Sequence, residues 1–412
     1  MVKHFLTYLS AFFLLISAVP ASAFEKEKFF GFANGEFLGG YSQVEDRDGI
    51  GTAVDRWELS PNYKSSDTFY WLNVYNGSYD RSSQVVAQEE GPRLTQETQT
   101  HSLSTAFKIY VDPDWSLRPT FFSDWVFVSE TRDEDFGDGL YDYHDLGGGL
   151  ESVRVLSKTE SGRHELRAGY RFFEREYPNY QSLLYIFNSN ASPETNEKDF
   201  AGHKFNLGYD VMNREEWSWG IEGIMLYKDY HDKRTINSDG ALQNDTREDF
   251  LSYLNVNVSH AINEKWRFRL DGRLVNNESN LDFNDTHSTS TLGDDDFVSD
   301  YFDYTLALAR PTFTYSNLLG EDRTLVFSAS YALQFQHYPG RTAQDVTGDY
   351  TAEEQEDWSH TLSTRFSYPL TKNWAWVSTA SYSTVSSNQD YQATYLYSYD
   401  MWSVLTGVSV SY

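Results

Sequence analysis

Between residues 266 and 274 the chain alternates Trp266, Phe268, Leu270, Gly272 and Leu274 with Arg267, Arg269, Asp271 and Arg273. A guanidinium is a planar fork of permanent charge, so several at every second position could hold anions or donate paired hydrogen bonds to carboxylates and hydroxyls. Arg56, Arg118, Arg167, Arg171 and Arg365 each stand beside an apolar neighbour in the same manner, with Glu58, Asp124, Glu165 and Glu222 as acidic counterparts. Arg154 and Arg310 fall where this alternation slips and are left without a side.

Carboxylates gather elsewhere. From Glu278 to Asp303 there are eight acids, Asp294, Asp295 and Asp296 consecutive among them, and no Lys or Arg. Such clusters could hold Ca²⁺ through flexible oxygen ligands, but none has the spacing of a twelve-residue calcium loop. A solvated acidic surface is the competing reading, and no cofactor is expected. The histidines give no catalytic constellation: Ser259 and His260 are adjacent, which puts their side chains on opposite faces of a strand, and His144, His231 and His337 lie in polar stretches. A protein without enzymatic activity is the expectation.

A formal net charge of −28 disfavours nucleic acid as a partner. Lys3 and His4, the apolar run from Phe5 to Val19 and the Ala21-Ser22-Ala23 site read as a secretory signal peptide over residues 1–23. Cysteine is absent, so the exported chain would be stabilised without disulfides, while 30 Tyr, 28 Phe and 11 Trp are unusually abundant.

The elements that position the arginines are strands. Period-two alternation runs from Trp115 to Phe127, Trp217 to Tyr227, Trp266 to Leu274, Leu325 to Phe335 and Trp358 to Tyr368. Their connections alternate in length. Short links near 64–67, 112–114, 157–162, 213–216, 263–265, 318–322 and 370–373 separate longer polar stretches near 43–52, 80–98, 130–141, 175–200, 229–248, 276–300, 337–356 and 384–394. Seven short turns and eight long loops join sixteen strands, so the fold class predicted is an all-β antiparallel up-and-down barrel over residues 24–412.

An aromatic spacing supports this. Trp115 and Trp125, Trp217 and Tyr227, Trp358 and Tyr368, and Trp402 and Tyr412 are each ten residues apart. Ten tilted strand residues climb roughly 25 Å, the height of the apolar band between the two aromatic girdles of a membrane barrel. Trp402, Val404, Thr406, Val408, Val410 and Tyr412 would then face lipid, and the last strand would pair with the first. The Arg-bearing positions must point inward, because an Arg at the bilayer midplane costs about 2 to 4 kcal/mol on the lipid side.

In this layout and in its C-terminal aromatic strand the chain resembles the Gram-negative outer-membrane β-barrel proteins, with Tyr412 at the position where Phe is commoner. The resemblance implies residence in the outer membrane among lipid and lipopolysaccharide, and recognition of the terminal strand by the assembly machinery. It further implies a porin-like channel for small hydrophilic solutes, with Arg56, Arg118, Arg167, Arg171, Arg267, Arg269, Asp271, Arg273 and Arg365 as selectivity candidates. The alternatives are a conduit for a secreted polysaccharide or lipoprotein with a separate periplasmic partner, and a receptor or adhesion barrel that binds through acidic loops. Glu134-Asp135-Phe136-Gly137-Asp138-Gly139 is similar to the pore-folded third loop of general diffusion porins, although shorter and without the preceding Pro. Apolar outward residues on every strand favour a monomer over a trimer.

Overall fold

The computed structural model describes residues 28–45, 49–83, 95–130, 134–160, 162–181, 196–213, 217–237, 241–286, 295–320, 323–392 and 395–412. The signal peptide expected at residues 1–23 lies outside them, as do Asp294 and the side chains of Asp295 and Asp296.

The strands are β1 (Phe29–Val44), β2 (Ile50–Ser66), β3 (Phe69–Ser83), β4 (Thr95–Asp112), β5 (Trp115–Ser129) and β6 (Tyr143–Lys158). They continue as β7 (Gly162–Glu176), β8 (Phe200–Asn213), β9 (Trp217–Ile236), β10 (Leu242–Ala261), β11 (Trp266–Ser279), β12 (Phe283–Thr286) and β13 (Asp295–Val298). The last five are β14 (Tyr304–Leu318), β15 (Thr324–Gln344), β16 (Tyr350–Pro369), β17 (Trp374–Ser387) and β18 (Tyr399–Ser411). Sixteen of them close one antiparallel barrel in chain order, and β12 and β13 form a separate hairpin between β11 and β14. Closure leaves no ladder group unpaired against lipid, which is what permits a sheet to span a bilayer.

β1 and β18 make the seam, with Leu38 opposite Gly407 and Gly40 opposite Leu405. The strands approach so closely there that a Cβ on Gly407 would run into the Phe37 carbonyl oxygen, which is why the position carries no side chain. Ala33 N–H donates to the Tyr412 carbonyl (3.0 Å) and Tyr412 N–H to that of Ala33 (2.8 Å), so the final residue is held in the ladder.

Proline interrupts one ladder and side chains repair it. Pro61 in β2 has no N–H; opposite it, Asn73 N–H donates to Asn62 Oδ1 (2.9 Å) and Asn73 Nδ2 donates to the Pro61 carbonyl (2.9 Å).

Two expected loops are strand. The stretches 229–248 and 337–356 carry β9 to Ile236, β10 from Leu242, β15 to Gln344 and β16 from Tyr350, leaving turns of a few residues. Above the bilayer both faces are wet, so apolar alternation ends although backbone pairing continues. These two hairpins rise past their neighbours, with register shifts at Leu242/Thr246 and Tyr338/Thr342. Asparagine fills the vacated ladder places beside both. Glu248 N–H donates to Asn280 Oδ1 (2.7 Å) while Asn280 Nδ2 donates to the Thr246 carbonyl (3.0 Å). In the same arrangement Glu356 N–H donates to Asn388 Oδ1 (2.9 Å) and Asn388 Nδ2 to the Glu354 carbonyl (2.8 Å).

Candidate functional site: the lumen wall and outer vestibule

The register fixes each side chain's face. All eight girdle candidates lie outward: Trp115, Trp125, Trp217, Tyr227, Trp358, Tyr368, Trp402 and Tyr412 share the outer parity of exposed apolar residues such as Phe121, Leu146, Phe205, Met225, Leu274 and Val404. Neighbouring rings extend the belt, with Trp358 packed on Phe335 (4.4 Å between centroids) and Trp402 on Tyr41 (5.5 Å).

Arg56, Arg118, Arg167, Arg171, Arg267, Arg269, Asp271, Arg273 and Arg365 all take the opposite parity and line the interior. Arg310 joins them in regular register opposite Asp271, so no bulge displaces it; its neighbour Pro311 only disguises the alternation. Arg154 points outward at the periplasmic rim, beside a register shift at Val155/Ser157, and bonds Asp112 (2.8 Å).

Inside, most guanidinium groups are matched by carboxylates, and by more of them than the sequence reading assigned. Arg118 meets Glu151 (3.1 Å), Arg167 meets Asp210 (2.8 Å) and Glu222 (3.9 Å), and Asp271 takes Arg269 (2.7 Å) and Arg310 (3.5 Å). Arg365 reaches Glu36 through two bonds, one of 3.0 Å from Nη1, although β17 and β18 stand between their strands. Those strands present Val377 and Leu405 inward, and with Leu38 they form a buried apolar cluster in the wall. Arg56 stands opposite Glu36 in the ladder and lines, with Asn34, Glu58 and Arg365, a cavity of about 710 Å³.

The expected arginine file on β11 is therefore divided. Arg269 is committed to Asp271, Arg273 donates to Asn255 (2.9 Å), and Arg267 has no carboxylate partner among the described residues. All three are exposed despite pointing into the barrel, so the wall here fronts open space. Arg171 and Lys204, opposite one another on β7 and β8, form no ion pair among the described residues and extend this cationic wall.

The sequence reading missed a second group, at the outer ends of β7 to β10. Arg175 forms a fork with Asp145 (2.7 Å at both oxygens) and lies 3.9 Å over the Tyr143 ring. Arg247 forks onto Asp249 (2.8 and 2.9 Å) and packs on Tyr230 and Phe302. Lys233 meets Glu197 (3.0 Å), Lys198 sits between the Tyr141 and Tyr180 rings, and Lys228 lies 5.4 Å from the Phe200 ring centre. Burial, together with Arg247 and Lys233, holds the Lys198 ammonium below the ordinary lysine pKa. The available signal was that Lys228 alternates with Tyr227, but its partners come from loops distant in sequence.

The Glu134–Gly139 stretch does not follow the porin likeness into the lumen. Phe136 packs against Tyr79 (6.4 Å, edge-on), which the register places on the outer face, and Asp142 anchors the loop by accepting from Val128 N–H (2.7 Å) and Gly139 N–H (3.2 Å). The histidines are tied into the outer rim and girdle: His144 to Glu176, His231 to Glu174, His337 to Glu354, and His260 stacked on Trp217 at 4.4 Å. Among the described residues no three His, Asp or Glu side chains form a metal-holding group.

A closed sixteen-strand barrel with an apolar exterior between aromatic belts is the architecture of bacterial outer-membrane β-barrels, and the outer membrane is where such a chain resides. No protein-family model matches the sequence, and no curated protein does. Among solved structures, the chain is similar to a bacterial polysaccharide outer membrane secretin at 8% identity and TM-score 0.44, covering 92% of this chain and 97% of that one. It is similar to the trimer form of OmpT from Vibrio cholerae at 11% and 0.43, covering 93% and 100%. Acinetobacter baumannii OccAB4 stands at 11% and 0.42, covering 94% and 99%.

Proposed function

We propose that the barrel is an outer-membrane channel for small hydrophilic solutes with a preference for anions. The observation that carries this is the exposure of Arg267, Arg269 and Arg273 on the inner wall: guanidinium groups that face inward yet remain accessible front a water-filled path. Sixteen strands enclose a bore wide enough for such a path. The matched pairs on the same wall keep it rigid and wet, while Arg267, Arg171 and Lys204 bias the passing ions.

The test is single-channel conductance of the refolded protein in a planar bilayer, with the reversal potential read under a salt gradient. Steady conductance with anion preference is expected, and the Arg267→Ala/Arg269→Ala/Arg273→Ala variant should lose that preference. A folded barrel that does not conduct would overturn the reading and turn attention to the acidic loops as a receptor surface.

A further inference from the structure

The cations at the outer end of the barrel surround a cavity of about 290 Å³, lined by Arg175, Lys198, Lys228, Lys233 and Arg247 together with aromatic rings. In a chain of net charge −28 this concentration of positive charge requires a reason. Asp145, Glu197 and Asp249 match three of the five. Lys198 and Lys228 are half-buried and have no carboxylate partner among the described residues.

We infer that this cavity is a binding site for a monosaccharide-sized organic anion, a sugar acid or sugar phosphate, entering from the cell exterior. The rings fix the shape of the site and leave the donors free. Tyr141 and Tyr180 hold Lys198, and Phe200 holds Lys228, through contact with the cation rather than through acceptors on its N–H groups. Each ammonium therefore keeps three donors for an incoming oxyanion. Burial weakens competition from water, and an anion placed between the two lysines relieves the repulsion Lys198 experiences from Arg247 and Lys233. Tyr177 and Tyr230 line the same cavity; Tyr177 offers its hydroxyl to a polyhydroxylated ligand, while the Tyr230 hydroxyl, which donates to Asp249 Oδ2 (3.2 Å), offers an acceptor. The volume lies at the small end of ligand pockets, which suits one sugar ring rather than a chain.

The site extends the channel reading by naming a class of solute, but binding is measured without conduction. Calorimetry on the refolded barrel in detergent would use galacturonate, galactose 6-phosphate and neutral galactose as probes. The two anions should bind and galactose should not. Lys198→Met and Lys228→Met should each weaken anion binding by roughly tenfold, while Lys372→Met, in a periplasmic turn, should leave it unchanged. Retention of the heat-modifiable gel shift would show that the variants are folded. Tighter binding of the phosphate than of the uronate would assign the site to phosphorylated sugars, and the reverse to sugar acids. Equal binding of galactose, or folded variants that bind as the parent does, would overturn the inference. A barrel that conducts without binding these anions defeats this site alone, and one that binds without conducting defeats only the channel.

Discussion

Arg365 on β16 and Glu36 on β1 hold hands across the inner surface of two intervening strands, beside the seam that closes the barrel. Glu36 is the more buried partner, so truncating Arg365 strands a carboxylate. Arg365→Ala should destabilise the barrel by about 1 to 2 kcal/mol, the range for a hydrogen bond to a charged group after allowance for the exposure of Arg365. Urea unfolding in lipid vesicles measures it, and Arg365→Ala/Glu36→Ala should recover part of the loss.

Asp271 serves two arginines, Arg269 and Arg310. Asp271→Asn should release both guanidinium groups into the lumen and move the reversal potential toward anions, opposite in sign to removal of the β11 arginines. An unchanged potential would mean that this part of the wall does not control ion selection.

The turn between β15 and β16 depends on Asp345. Its Oδ1 accepts from Thr347 N–H (2.8 Å), Thr347 Oγ1 (2.6 Å) and Asp349 N–H (3.2 Å), and Gly348 takes a positive φ of 91° that a side chain would strain. These bonds, that of the Thr347 hydroxyl foremost, hold the Asp345 carboxyl below its ordinary pKa of 3.8. A depressed carboxyl contributes stability that is present above the unfolded value and lost as pH falls through the folded one. The turn should therefore stay ordered at neutral pH and loosen below pH 3.8. Carboxyl ¹³C titration would follow it, and Asp345→Asn should abolish the dependence.

Gly407 permits the close approach of β18 to β1. Gly407→Val should prevent proper closure, costing at least the 1 to 3 kcal/mol or so of an overpacked core, with the backbone itself as the obstacle. Reduced folded yield in vesicles, rescued by no change on the outer face, is the expected result.

The alternation that revealed the strands is a product of the bilayer: residues such as Phe268 and Leu270 must meet lipid while Arg267 and Arg269 meet water. Face assignment was therefore legible along most of each membrane-crossing strand, and the nine lumen candidates and eight girdle aromatics take the face their alternation predicts. It failed at Arg310, where Pro311 occupies an outward position without looking like a lipid contact. It also failed beyond the membrane, where β9, β10, β15 and β16 continue in polar residues with no pattern to mark them. The vestibule was illegible because Lys198, Lys228 and Arg247 are joined only by the register of separate strands and the loops above them.

Asn280 and Asn388 have a consequence for how these molecules share a crowded membrane. A closed barrel offers no edge to another chain, but hairpins standing above their neighbours recreate edges in water, where an exposed ladder invites a second copy to dock. Each asparagine carboxamide presents one acceptor and one donor at strand spacing, so it occupies the place of a missing residue on one side of its hairpin. The register shifts in β10 and β15 bend the remaining backbone out of a flat template. The two asparagines and these register shifts thus keep tall, paired walls from becoming sites of intermolecular zippering.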